Sequence, residues 1–237
     1  MDNNTKLLVI CPSRIRPNRL KEMLQSFDTT KSEGTDIVVY VADDDPKIEE
    51  YKVLMQGRNL IVGRRRHLVE VLNYVSCELY PGMAYYGEVN DDHIYRTKGW
   101  DTTLMNFLEK RGGGWGIVCG ADHINDNWYK FRHPSACVIS GKMVRALGWF
   151  VLPLLQHMWT DVYLRDIAEG IGRLYHCPEV IIEHMHINAC KASNDANYKW
   201  VYSQEQMKFG QETYENWKKK FYQETIEKLK KAILNDR

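Results

Sequence analysis

The chain is predicted to fold as an α/β protein built on a doubly wound, largely parallel sheet. Three observations predict it. Over roughly the first ninety residues, short β-branched apolar runs alternate with segments of helical spacing, the pattern of βαβ units. These runs lead into charged or proline-bearing loops, which mark strand ends. A hydrophobic fraction of 44% in 237 residues supplies the apolar surface for one large domain with a real core.

Lys6–Cys11 is a continuous apolar run stopped by Pro12, as expected of a strand buried on both faces. Arg19–Phe27 then carries Leu20, Met23, Leu24 and Phe27 at helical spacing. Asp36–Val41 is a second strand, closed by Asp43-Asp44-Asp45-Pro46, and Ile48–Met55 a second helix. Asn59–Val62 is a short strand, and His67–Leu79 a helix with Leu68, Val71, Leu72 and Val75 on one face. Met83–Val89 is the next strand. The second half is more mixed: Gly116–Gly120 and Ala136–Ser140 read as strands, Gly141–Leu147 and Asp161–Ala168 as helices, and Val180–Glu183 as a last short strand. From Gln204 to Arg237 the chain is helical and amphipathic, with Tyr214, Trp217, Phe221, Ile226, Leu229 and Ile233 on one apolar face.

Composition narrows the classes. With 32 basic and 31 acidic residues the net charge is +1, so no global field demands a polyanionic partner, although a local basic patch would suffice. Six scattered cysteines without a CxxC pair are expected to be buried thiols in a reducing compartment. The most apolar stretch, Leu147–Leu155, is broken by Gly148 and Pro153 and cannot span a bilayer. The Leu7–Cys11 run is too short for a signal-peptide core, so a soluble cytoplasmic protein is expected.

In open α/β sheets, ligands sit beyond the carboxyl ends of the strands. The loops carrying Arg14 and Arg16, Asp43–Asp45 and Asp91–His93 all fall there, so they should converge on one edge. The run Gly87–His93 is the most informative. Carboxylates crowded past a strand need a counter-charge, and a divalent cation with a bound phosphate is the usual one. Asp91, Asp92 and His93 offer oxygen and nitrogen ligands suited to Mg²⁺ or Mn²⁺. A solvated acidic turn is the alternative.

Asp43, Asp44 and Asp45 could accept hydrogen bonds from a base and a ribose, or could simply favour the N-terminus of the helix beginning near Ile48. Arg64, Arg65 and Arg66 precede a helix whose dipole they would oppose, which a bound diphosphate would explain. Asp161, at the start of a helix, is either a cap or a general base beside an aromatic wall, with His157 a neighbouring candidate. His184 and His186, two apart at a strand end, could face the same way as a metal-ligand pair or as one ligand and one phosphate contact. Asp195 could belong to a flap over the same place. Lys218–Lys220, Lys228, Lys230 and Lys231 make the last helix locally basic, as the wet face of an amphipathic helix often is.

In this order the pieces resemble the GT-A superfamily of nucleotide-sugar-dependent glycosyltransferases, close to family-2-like enzymes of bacteria and phages. The matching segments are Cys11–Arg14, Val41–Asp45, Arg64–Asn73, Asp91-Asp92-His93 with Trp100-Asp101, Trp159–Asp161 and Glu183-His184-Met185-His186. The resemblance implies a GT-A mixed sheet flanked by helices over residues 1–203, with 204–237 as a helical extension packed on it. It also implies a nucleotide-sugar donor held by Pro12, Ser13, Arg14, Asp43, Asp44, Asp45, Arg64, Arg65 and Asp91. Asp92, His93, His184 and His186 would hold Mn²⁺ or Mg²⁺. Asp161 would take the acceptor proton, giving inversion. A strict Asp-x-Asp motif is missing, since Asn90-Asp91-Asp92 lacks the first acid and Asp91-Asp92-His93 ends in histidine. A small enzyme without a membrane segment, acting in a host cytoplasm if phage-encoded, could use hydroxymethylated bases in double-stranded DNA as acceptor. A glycan acceptor, a nucleotidyltransferase and a non-catalytic binding module are the rival readings. The nucleotidyltransferase is disfavoured because Pro12-Ser13-Arg14 contains no glycine.

Overall fold

The computed structural model of the chain describes residues 4–124 and 130–236. Eight strands form one sheet in the order β3-β2-β1-β4-β7-β6-β8-β5. They are β1 (Leu7–Pro12), β2 (Thr35–Ala42), β3 (Asn59–Gly63), β4 (Tyr85–Glu88), β5 (His93–Tyr95), β6 (Ile117–Ala121), β7 (Val138–Ser140) and β8 (Leu174–His184). β1, β2, β3 and β4 are mutually parallel, as are β6 and β8, whereas β7 and β5 run antiparallel to their neighbours.

This topology gathers the polar loops. The carboxyl ends of β1, β2, β3, β4, β6 and β8 face one rim, and the two antiparallel strands bring their amino ends there. His93 at the start of β5 therefore pairs directly with His184 at the end of β8.

Helices cover both faces. On one side, α1 (Pro17–Thr30), α2 (Ile48–Leu54) and α4 (Trp100–Gly112) pack against Leu7, Val9, Val39 and Val118. On the other lie α3 (Leu68–Asn73, continued by a π-helical turn to Leu79), α5 (Gly141–Leu147), α6 (Thr160–Gly170) and the long α8 (Gln204–Asn235). A short α7 (Ala196–Val201) precedes α8. Burial of Tyr214, Trp217, Ile226, Leu229 and Ile233 docks α8. At about 1.5–3 kcal/mol per fully buried large side chain, this apolar stripe outweighs the peripheral ion pairs of the same helix.

Several sequence expectations shift. Phe221, placed on the apolar face of the last helix, is 48% exposed. Cys190 is exposed, while Cys11, Cys119, Cys137 and Cys177 are buried as expected. β8 begins six residues earlier than the apolar run at Val180 suggests, because Leu174–His176 pairs with β6 despite an alternation broken by Pro178 and Glu179. α4, β5 and α7 were not anticipated. The helical end at Arg237 lies outside the described residues. Among the described residues no helix is long and apolar enough to cross a membrane.

Candidate active site

The rim encloses a cavity of about 670 Å³. Pro12, Ser13, Arg14, Arg65, Asp91, Asp92, Asp161, His184 and His186 all line it. Of the expected site residues, Asp43, Asp44, Asp45, Arg64 and His93 do not. Asp44 is ion-paired with Arg14 at 2.7 Å, and that hydrogen bond holds its carboxyl below the usual range. Asp45 is 2% exposed, and its oxygens accept from the backbone N–H groups of Ile15 and Lys47 at 2.9 and 2.8 Å. It thus ties the loop after β1 to the entry of α2. Arg64 pairs with Glu70 at 3.1 Å on the surface. His93 sits just behind the wall, 1% exposed.

The acidic pair at the centre is neutralised from two directions. Ser13 donates to Asp91 Oδ2 at 2.6 Å. Arg16 lies 3.2 Å from Asp91 and 3.5 Å from Asp92, and also clamps Asp195 through Nε and Nη2 at 2.7 and 2.8 Å. Arg19 stands 3.6 Å from Asp92, and Tyr198 donates to Asp92 Oδ2 at 2.6 Å. Arginines from the start of α1 therefore supply part of the counter-charge expected of a cation. Two adjacent buried carboxylates cannot both ionise freely. Burial and the Asp92 charge push Asp91 up. Burial acts on Asp92 too, but the His184 contact and the Tyr198 bond more than offset it, so Asp92 stays ionised.

Asp92 Oδ1 is buried and accepts no well-aligned hydrogen bond. It faces His184 Nε2 at 3.1 Å and His93 Nδ1 at 3.9 Å, and the two imidazoles stack at 4.0 Å between centroids. Asp92, His93 and His184 each offer a ligand atom, all within 4.8 Å of one another. Burial lowers the His93 pKa to about 3, which keeps that ring neutral, but its Nδ1 already takes the Asn90 N–H at 3.2 Å and its Nε2 meets Ser135 Oγ at 3.3 Å, so a cation there would displace the Asn90 contact. One carboxylate oxygen lacking a donor, beside nitrogen ligands, fits a small divalent cation. His186 stands T-shaped to His184 at 4.7 Å. Both of its nitrogens are already engaged, with Asn188 N–H at 3.0 Å and Tyr202 OH at 2.9 Å.

Asp161 lies in the first turn of α6, where the helix dipole favours a negative charge. The residue before that turn, Trp159, has φ +73°, a conformation that costs a non-glycine residue about 1–3 kcal/mol. Trp159 stacks on Tyr214 at 5.7 Å, and Gly210 leaves the space its ring occupies. The last helix thus braces the segment that presents Asp161. The Asp161 side chain is 42% exposed and pairs with His133 at 2.9 Å. Burial in the cleft acts to raise its pKa, but the His133 hydrogen bond and backbone N–H donors win, leaving it below the usual carboxylate range.

Several lining residues were missed from the sequence. Glu88, the last residue of β4, makes no hydrogen bond or ion pair through its side chain among the described residues, and burial raises its pKa to about 7. Its signal was an acid ending a buried strand. His133 lies in a loop with no periodicity to mark it. Trp200 stacks on His67 at 5.5 Å and meets His157 edge-on at 6.3 Å, closing one wall. Burial lowers the His157 pKa to about 4. Tyr198 and Asp195, joined to Asp92 and Arg16, make the 195–202 segment a strap across the acidic centre, as the flap expectation for Asp195 anticipates.

No family model matches the chain, and no curated protein matches it in sequence. Solved structures do. The mannosyltransferase PcManGT from Pyrobaculum calidifontis, in complex with GDP-Man and Mn²⁺, superposes with a TM-score of 0.62 at 12% identity. The match covers 76% of this chain and 56% of that one, so this chain spans little more than half of the mannosyltransferase. S. aureus TarS 1–349 gives a TM-score of 0.57 at 11% identity, covering 92% and 72%. The same fragment in complex with UDP gives 0.57 at 13% identity with the same coverage. At these identities the likeness is one of fold: a GT-A mixed sheet flanked by helices.

Proposed function

We propose that the protein is a metal-dependent glycosyltransferase that moves a sugar from a nucleoside-diphosphate donor to an acceptor hydroxyl. The observation that carries this reading is that Asp92, His184, Arg65 and Asp161 line one cleft, the arrangement such a transfer needs. In this reading residues 1–203 form the catalytic unit and 204–237 a helical extension.

Asp92, His184 and His93 would hold a divalent cation, with His186 supporting His184 from the side. Bound there, Mn²⁺ or Mg²⁺ supplies positive charge to offset what develops on the leaving diphosphate. Arg65 and Arg66 border the same cleft, and their forked donors suit phosphate oxygens. Arg66 is fixed for this by lying over the Tyr74 ring at 4.1 Å. Pro12, Ser13 and Arg14 form the wall nearest β1, where the nucleoside rests. Asp161, on the same cleft, would serve the deprotonation of the acceptor hydroxyl for direct displacement and inversion.

For the acceptor, a hydroxymethylated base in duplex DNA is supported by the exposed rings of Trp200, Tyr202 and Phe131 and by the solvent-facing Lys219, Lys220, Lys230 and Lys231. Lys218 and Lys228 are also exposed, but their ammonium groups are engaged by Asp166 and by the Leu147 carbonyl. A gel shift titrated against salt decides between acceptors, since phosphate contacts make binding salt-dependent. No duplex binding at low salt returns the acceptor to a glycan.

The donor is tested by thermal shift with GDP, UDP and their sugar conjugates, with and without Mn²⁺. A ligand at about 100 times its Kd stabilises the folded state by roughly 2.7 kcal/mol, so the matching nucleotide should raise the melting temperature by several degrees. The rise should depend on Mn²⁺ and vanish with EDTA. A flat response to every nucleotide would refute the transferase reading.

A further inference from the structure

We infer that the proton acceptor of the transfer is His133, with Asp161 as the residue that orients it. This deepens the transferase reading and rests on it.

Both oxygens of Asp161 are already committed. Oδ1 accepts from the Val162 backbone N–H at 2.8 Å, and Oδ2 takes His133 Nδ1 at 2.9 Å. An ionised carboxylate can only accept, so the imidazole must carry its proton on Nδ1. In the neutral ring the lone pair then lies on Nε2, the other ring nitrogen. His133 lines the cavity with 20% of its side chain exposed, enough for contact with a bound hydroxyl. Its ring is held by stacking on Phe131 at 5.4 Å and 21°, and Arg165 anchors that loop through the Phe131 carbonyl at 3.0 Å. A nucleophile, a nitrogen base and a carboxylate that fixes the tautomer is the general logic of histidine-activated hydroxyls.

Direct use of Asp161 is chemically poorer. Its carboxyl is held below the ordinary range, and a weaker base removes a hydroxyl proton less well. The Asp161 charge acts through space on Glu88, His157 and Tyr202, whereas its own hydrogen bonds go to His133 and the Val162 N–H.

In the step, the acceptor oxygen forms its bond to the anomeric carbon while its proton passes to His133 Nε2. The bond from that carbon to the donor phosphate oxygen breaks, and its electron pair leaves on the diphosphate. The imidazolium so formed is stabilised by Asp161, which keeps its charge.

Two measurements test this. Long-range ¹⁵N–¹H NMR of histidine-labelled protein reads the tautomer, with His133 assigned by its loss in His133→Gln. The expected state is Nδ1–H in the wild type, becoming mixed in Asp161→Asn. In turnover assays, His133→Gln should lose about 10²–10⁴-fold in kcat with the donor KM unchanged, and added imidazole should restore part of the rate to His133→Ala. An Nε2–H tautomer, or His133→Gln turning over within about threefold of an active wild type, overturns the pairing alone. A wild type that transfers from no sugar nucleotide overturns the transferase reading, and the catalytic role of His133 falls with it.

Discussion

Replacing Asp92 by asparagine should reduce sugar transfer, or donor hydrolysis, by about 10³-fold or more, because several kcal/mol of charge stabilisation is lost. The same variant should lose the Mn²⁺-dependent part of the thermal shift, an outcome read without any turnover. The geometry explains why one atom matters so much. Asp92 Oδ1 is the buried oxygen facing two imidazoles, and an amide there offers a weaker ligand or, flipped, an N–H group. Stability should fall as well, since Arg16 and Arg19 lose a charged partner. Arg16 keeps Asp91 and Asp195, so the cost should stay within about 1–3 kcal/mol and leave a folded protein. An Asp92→Asn protein with wild-type turnover and an intact Mn²⁺ response would remove this residue from the site.

Asp161→Asn is the second large effect. It should lower kcat by about 10²–10⁴-fold while nucleotide binding, read by the same thermal shift, stays close to wild type. The separation follows from position. Asp161 lies on α6, and its contacts are His133 and the Val162 N–H, none of them in the acidic centre. Loss of nucleotide binding along with rate would mean that Asp161 holds the donor instead.

Much of the site was legible in the sequence because parallel strands send their carboxyl ends to one rim. Once Lys6–Cys11, Asp36–Val41 and Met83–Val89 read as parallel strands, the loop after the first of them and Asp91 had to reach one rim, where Ser13 and Arg16 meet Asp91. The Asp43–Asp45 loop reaches the same rim, yet its side chains turn elsewhere, because Asp45 satisfies backbone donors that would otherwise be buried without partners. Local spacing could not reveal that. His133 escaped because it is placed by long-range packing on Phe131 and Asp161 rather than by any periodic pattern. The role of Arg16 as a hub was hidden for a related reason: its partners Asp91, Asp92 and Asp195 lie far along the chain, and only the fold brings them within reach.

The pairing of β5 with β8 places His93 opposite His184 at the border of the sheet. Side chains alternate along a strand, so sliding either partner by one residue would turn one imidazole away from the other and from Asp92. Chemical competence is therefore a readout of correct threading: a misaligned copy could fold most of its core and still be inert. The register of this three-residue border strand alone decides whether the two imidazoles face each other.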